Sequence, residues 1–144
     1  MMTKRILAPI SAEERSEAVV PLVAALARET GATVRLLRVF PVPERIVGDH
    51  GRTVAYVDQE MARLTSEGLD ELARVEMSLP GVPVERVVRF GDPEEEILVE
   101  ADVFGADLIA LTTTKRGRLL SALAPDVAAR VAGKTTIPAV VLRG

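Results

Sequence analysis

The sequence predicts an α/β protein built on one open, parallel, five-stranded sheet with helices on both faces. Short apolar, β-rich runs alternate with longer helical patterns in the order β-α-β-α-β-α-β-α-β. These runs are almost continuously apolar, as expected for strands that are covered on both faces. No internal repeat or linker divides the 144 residues, so we expect a single domain over residues 1–144.

Five runs are predicted as the strands of this sheet. The second and third lie in the β-rich stretches 33–40 and 84–90, and the parallel cores are expected at residues 6–10, 36–39, 87–90, 108–111 and 139–142. Pro9 would disturb a central strand unless it falls at the strand's end. Pro138 stands at the start of the last run, which favours an edge strand there.

The last run also predicts how the protein assembles. An apolar edge strand left in water is an aggregation risk, and pairing with a second copy removes that risk. We therefore expect a homodimer whose interface is built partly on Pro138, Ala139, Val140, Val141 and Leu142.

The first two helices carry start signals and one internal weakness. Ser11 and Glu14 form a capping-box pattern that would begin the first helix. Pro21 falls inside this pattern, so we expect either a kink or a delayed start. A long second helix is predicted over residues 54–79, and Gly68 weakens it by about 1 kcal/mol relative to alanine.

The third helix has the clearest start signal in the chain. Asp92 is the expected N-cap, Pro93 takes the first helical position, and residues 94–96 place three glutamates in the first turn. These glutamates could be read as catalytic acids, but their position favours interaction with the helix dipole. A fourth helix is predicted over residues 125–132.

Composition excludes several function classes. Cysteine is absent and His50 is the only histidine, which excludes thiolate sites and a multi-histidine metal centre within one chain. We expect no metal, no cofactor and no catalytic residue, since no nucleophile and base can be paired. The net charge of −3 gives no basic footprint for nucleic acid. No run is long enough for a signal peptide or a bilayer span, so we expect a cytoplasmic protein that contacts no membrane.

One loop stands out as a candidate binding site. The fourth strand leads into a polar, basic loop that begins at Thr112, and such a strand end often receives an anionic ligand. The hydroxyls of Thr112 and Thr113 and the charges of Lys115 and Arg116 could hold a small anion. Alternatively, the threonines satisfy backbone groups and the basic side chains are only solvated. Asp126, near the next helix start, would repel a phosphate.

The chain resembles the universal stress protein family in six segments spread over most of its length. They are residues 6–10 (ILAPI), 31–34 (GATV), 91–97 (GDPEEEI), 105–111 (GADLIAL), 127–131 (VAARV) and 137–141 (IPAVV). Each is weak alone, but their order and spacing are specific. The resemblance implies a Rossmann-like sheet of the adenine nucleotide alpha hydrolase type, with strand order 3-2-1-4-5, and a dimer.

The same resemblance implies that the nucleotide site of the family is degenerate here. Members that bind ATP share the pattern Gly-x2-Gly-x9-Gly-(Ser/Thr) after the fourth strand. At that spacing this chain has Thr112, Lys115, Pro125 and Asp126, so all four residues are replaced. The aspartate that such members carry at the end of the first strand corresponds to Ser11.

Two functional hypotheses follow from the residues and the resemblance. The first is a dimeric stress-response protein that acts through protein partners without binding ATP. The second is a ligand sensor or weak enzyme that binds a nucleotide or another small anion in a remodelled pocket at the ends of strands one and four. That pocket would be formed by Ser11, Thr112, Thr113, Lys115, Arg116 and Asp126.

Overall fold

The computed structural model describes residues 3–11, 19–43, 53–113 and 127–143. Strands and helices alternate through these ranges, in agreement with the predicted order. The elements are β1 (Arg5–Pro9), α1 (Val20–Thr30), β2 (Thr33–Phe40), α2 (Thr53–Glu76), β3 (Val84–Phe90), α3 (Pro93–Phe104), β4 (Leu108–Thr113), α4 (Val127–Lys134) and β5 (Ala139–Arg143).

The five strands form one parallel sheet in the order β3-β2-β1-β4-β5. This confirms the predicted fold class and the strand order implied by the family resemblance. The first strand lies at the centre, and β5 is an edge strand as Pro138 indicated. Pro9 is the last residue of β1, where a missing N–H interrupts no central ladder.

Two apolar layers cover the sheet, one on each face. The layer under α1 and α2 contains side chains of β1, β2 and β4, such as Ile6, Leu36 and Ala110. The layer under α3 and α4 contains Leu7 and Ile109, which point to the opposite face from their chain neighbours. This double coverage explains why the strands are almost continuously apolar.

The start that the capping-box pattern predicts for the first helix lies mostly outside the described ranges. Ser11 is exposed and lies outside any helix, and residues 12–18 of the predicted cap are outside the described ranges. The described helix α1 starts at Val20 with Pro21 in its first turn. Proline is tolerated at this place, because a first-turn residue needs no intrahelical N–H bond.

The long helix α2 ends at Glu76, three residues before its predicted end at position 79. Turns with hydrogen bonds from Ser78 N–H to Val75 and from Leu79 N–H to Glu76 replace the last helical turn. The proline at position 80 explains this difference, because a residue that precedes proline disfavours helical backbone angles.

The start of α3 matches the prediction in detail. The Asp92 carboxylate accepts a hydrogen bond from the Glu95 N–H (3.1 Å), and Pro93 occupies the first turn. Helix α4 reaches Lys134, two residues beyond its predicted end, and its predicted start at residue 125 lies outside the described ranges. Among the described residues, no helix has both the length and the apolar character needed to cross a bilayer.

Asp107 joins the amino ends of the two central strands. Its carboxylate accepts hydrogen bonds from the backbone N–H groups of Lys4 (2.7 Å) and Arg5 (2.8 Å). These two bonds hold the pKa of Asp107 below its usual value. The side chain therefore fixes the start of β1 against the start of β4.

Gly68 is buried where α2 crosses β2 and β3, and the structure gives it a packing role. A Cβ atom at this position would lie 2.8 Å from Cε2 of Phe40 and 3.0 Å from Cγ2 of Val88. We predict that Gly68→Ala lowers the free energy of unfolding by about 1–2 kcal/mol, because the clash outweighs the gain in helix propensity. Chemical denaturation measures the change.

Gly133 in α4 supplies the matched control. A Cβ there meets no atom within 4 Å, so Gly133→Ala should raise the stability by up to about 1 kcal/mol. Equal stabilisation by both substitutions would contradict the close approach of α2 to the sheet.

Candidate functional site

The predicted site lies at the carboxyl ends of the adjacent central strands β1 and β4. The chain leaves β1 toward β2 on one side and enters β4 on the other, so this is the point at which the winding of the sheet reverses. In open α/β sheets, ligands bind at this point. Ser11 follows β1 and is exposed, while Thr112 near the end of β4 is half-buried.

The structure brings together only part of the predicted ligand set. Ser11, Thr112 and Thr113 lie at the same edge of the sheet. Lys115, Arg116 and Asp126 fall in residues 114–126, outside the described ranges. Within the described residues, this rim therefore carries hydroxyl side chains and no carboxylate, imidazole or amine that could act as acid or base.

The predicted end of the fourth strand was wrong by two residues. Thr112 and Thr113 were assigned to the loop, but they continue β4 and pair with Leu142 and Arg143 of β5. Threonine is β-branched and fits an extended strand, which explains the extension. The backbone of both residues is therefore part of the sheet.

Beneath this rim the strand ends are apolar. Ile10 and Leu111 are buried, and the Ile10 N–H donates to the Leu37 carbonyl oxygen (2.7 Å). The segment after β1 is thus held against β2. The described residues at this edge position no charged atom for chemistry.

An ionic network that sequence reasoning missed surrounds the buried Glu100 on the α3 face of β2 and β3. Glu100 is only 2% exposed, and its carboxylate accepts hydrogen bonds from Arg35 (2.6 Å) and Arg89 (3.1 Å). Glu85 also binds Arg35 and Glu96 also binds Arg89, at 2.9 and 2.8 Å. The available signal was the presence of charged residues in strands that are otherwise apolar on both faces.

The network raises the pKa of both arginines. Burial alone would lower the pKa of Arg35, but its hydrogen bonds to Glu100 and Glu85 outweigh this effect. The hydrogen bond to Glu96 is the main cause of the raised pKa of Arg89. Both guanidinium groups therefore stay charged, and their ion pairs hold β2 and β3 against α3.

The three glutamates at the start of α3 have separate roles. Their position in the first turn confirms the helix-dipole interpretation. However, Glu94 is 6% exposed and forms ion pairs with Lys134 (2.9 Å) and Arg130 (3.8 Å) of α4. Glu96 belongs to the Glu100 network, so only Glu95 is an exposed residue.

A family model for the universal stress protein family matches residues 2–143. The chain belongs to the universal stress protein family. No curated protein matches this member of the family. Within the described ranges, no cluster of histidine, aspartate and glutamate side chains could hold a metal ion.

Solved structures share the fold at low sequence identity. Hypothetical protein MJ0577 superposes with a TM-score of 0.77 and 24% identity, covering 100% of this chain and 98% of its own. A universal stress protein in complex with cAMP superposes with a TM-score of 0.67 and 16% identity, covering 99% of this chain and 98% of its own. The universal stress protein from Archaeoglobus fulgidus in complex with dAMP superposes with a TM-score of 0.60 and 19% identity, and 98% of each chain is covered.

Glu100 provides a test of the ionic network. We predict that Glu100→Gln lowers the free energy of unfolding by about 2–3 kcal/mol, because Arg35 and Arg89 lose their buried carboxylate. Denaturant titration at neutral pH measures this loss. Glu60→Gln removes the exposed pair with Arg63 on α2 and should leave the midpoint unchanged. An equally small effect at position 100 would contradict the role assigned to the network.

Proposed function

We propose that this universal stress protein is a dimeric, cytoplasmic stress-response protein that acts through protein partners and does not use ATP. The observation that supports it most directly is the continuation of β4 through Thr112 and Thr113, paired with β5. In ATP-binding relatives, as the family pattern implies, a glycine at the position of Thr112 begins a phosphate-binding loop.

Phosphate binding at such a junction depends on backbone N–H groups that reach the oxygens unobstructed. In this register the Thr113 N–H faces β5 and is engaged in the sheet, and the β-branched side chain of Thr112 adds bulk at the rim. The other three replacements in the motif also disfavour phosphate binding. Lys115 adds a side chain, Pro125 has no N–H group, and Asp126 carries a negative charge.

Ser11 gives further support from the other side of the site. It follows β1 where ATP-binding relatives carry an aspartate, according to the family pattern, and its short hydroxyl side chain replaces that carboxylate. Two of the structural relatives are complexes with cAMP and dAMP, each of which has a single phosphate group. A binding test of this chain must therefore include nucleotides with one phosphate group as well as ATP.

We predict that the wild-type chain gives no heat of binding with ATP and magnesium, which corresponds to a Kd above about 1 mM. Calorimetry measures this directly. The matched variant restores the family pattern through five substitutions: Ser11→Asp, Thr112→Gly, Lys115→Gly, Pro125→Gly and Asp126→Ser. This variant should bind ATP more tightly than the wild type, because glycines free the backbone and the added charge at position 126 is removed.

A low-micromolar Kd for ATP in the wild type would contradict the proposal, most clearly if Lys115→Ala abolished it. A thermal-shift screen with cAMP, dAMP, phosphate and other small anions extends the measurement. Stabilisation by one of these ligands, but not by ATP, would favour the second hypothesis of a sensor with a remodelled pocket.

The proposal of a homodimer rests on the β5 edge. Pro138 and Val141 are exposed, while Ala139, Val140 and Leu142 are half-buried against the sheet layers. The other edge strand, β3, differs because its charged side chains are engaged in ion pairs with α2, α3 and the neighbouring strand β2. An apolar, unpaired edge favours association with a second copy about a two-fold axis.

The hydrogen-bond register identifies the groups that face away from the sheet. Ile109 N–H donates to the Pro138 carbonyl oxygen (3.0 Å), and Ile109 pairs with Ala139. In a parallel ladder, the N–H of Val140 then points to β4 and the N–H of Val141 points away from it. Proline at position 141 would therefore remove a donor from the free edge, whereas proline at position 140 would damage the sheet itself.

We predict that the wild type is a dimer by light scattering at micromolar concentration and that Val141→Pro weakens this dimer at least tenfold. The loss of an edge N–H and the fixed backbone angle of proline are the physical reasons. Val141→Thr is the matched control, because it keeps the N–H group and the branched shape, and it should remain a dimer. A wild-type monomer would contradict the proposal.

A further inference from the structure

A groove between α1 and the end of α2 lies apart from the site at the strand ends. Its volume is about 570 Å³, and its lining combines an apolar floor with two arginines and a hydroxyl group. The lining residues are Val20, Pro21, Ala24, Arg28, Arg74, Val75 and Ser78. Pockets for small organic ligands are roughly 300–1,000 Å³ in volume, so this groove has room for one.

The two arginines of the groove differ from most other arginines in the described ranges. Arg35, Arg38, Arg63, Arg86, Arg89 and Arg130 each form an ion pair with a glutamate. Arg5 donates to the Phe104 carbonyl oxygen and stacks over its ring. Arg28 donates one hydrogen bond to the Pro80 carbonyl oxygen (3.2 Å), and neither Arg28 nor Arg74 has a carboxylate partner within the described ranges.

Both arginines are exposed, so their guanidinium groups lie at the open side of the groove. Arg28 and Arg74 lie in the last turns of their helices, where a cation also complements the helix dipole. Lys134 has the same position in α4, yet it pairs with Glu94. Arg28 and Arg74, by contrast, leave two guanidinium groups beside one groove for an anionic ligand.

We propose that this groove binds a small amphipathic carboxylate, with its acid group on Arg28 and Arg74 and its apolar body on Val20, Ala24 and Val75. A planar guanidinium group matches a carboxylate with paired hydrogen bonds. The three apolar side chains are buried at the base of the groove and give the ligand a surface to cover. Ser78 can accept or donate a further hydrogen bond.

This site is independent of the proposed function. Arg28 and Arg74 end crossover helices, which places them toward the amino ends of the strands, whereas Ser11 and Thr112 lie at the carboxyl ends. A failure of the groove to bind an acid leaves the proposal about ATP untouched, and the reverse also holds.

Octanoate is the probe, because it joins one carboxylate to a flexible apolar chain. Two-dimensional NMR of the labelled full chain follows a titration with octanoate, and parallel titrations use octanol and acetate. We expect octanoate to bind with a submillimolar Kd and to shift the amide signals of Val20, Ala24, Val75 and Ser78. Octanol lacks the charge and acetate lacks the apolar body, so each should bind at least tenfold more weakly.

Substitutions then test the two arginines. The double variant Arg28→Gln with Arg74→Gln should weaken octanoate binding by about tenfold or more, because two charge-assisted hydrogen bonds are lost. Arg63→Gln changes an exposed arginine elsewhere on α2 and should bind like the wild type. The NMR spectra also show whether each variant is folded.

Three results would overturn the proposal. They are no shift with octanoate, equal binding of octanol or acetate, and octanoate binding that the double variant leaves unchanged. An acidic peptide that shifts the same signals while octanoate does not would also overturn it, in favour of a protein partner.

Discussion

The carboxylate of Glu100, held between Arg35 and Arg89, is the interaction on which one half of this structure depends. It joins the neighbouring strands β2 and β3 to the helix that covers them, at a point where the carboxylate itself is buried. Charges at such a point are tolerated only when each has a partner. The aromatic ring of Phe104 also contacts this network, since the guanidinium of Arg35 lies 4.2 Å from its centroid.

The two halves of the sheet therefore use different chemistry. Arginines on β2 and β3 bind glutamates of both covering helices, as in the pair of Arg38 with Glu71 on α2. The β1, β4 and β5 strands carry mainly aliphatic side chains and rely on apolar burial. The candidate site lies in the apolar half, so changes in its loops can occur without disturbing the ionic half.

The sequence was sufficient to predict the fold but gave only part of the site. Alternation of apolar runs and helical patterns placed all five strands, and Asp92 with Pro93 located the start of α3 correctly. The predicted end of β4 is wrong because the polarity of Thr112 is typical of a loop, whereas strand pairing with β5 overrides that signal. Glu100 was missed because a helical glutamate on one face and strand arginines far away in sequence meet only after folding.

The unlike edges of the sheet have a consequence for how many chains can associate. At the β3 edge, Glu85 and Arg86 are charged and already engaged with Arg35 and Glu76, which makes this edge a poor template for a further strand. Association through β5 about a two-fold axis would occupy the remaining edge of both chains at once. No apolar edge would then remain to which a third chain could add a strand. The architecture therefore permits a closed pair and disfavours an open-ended fibre.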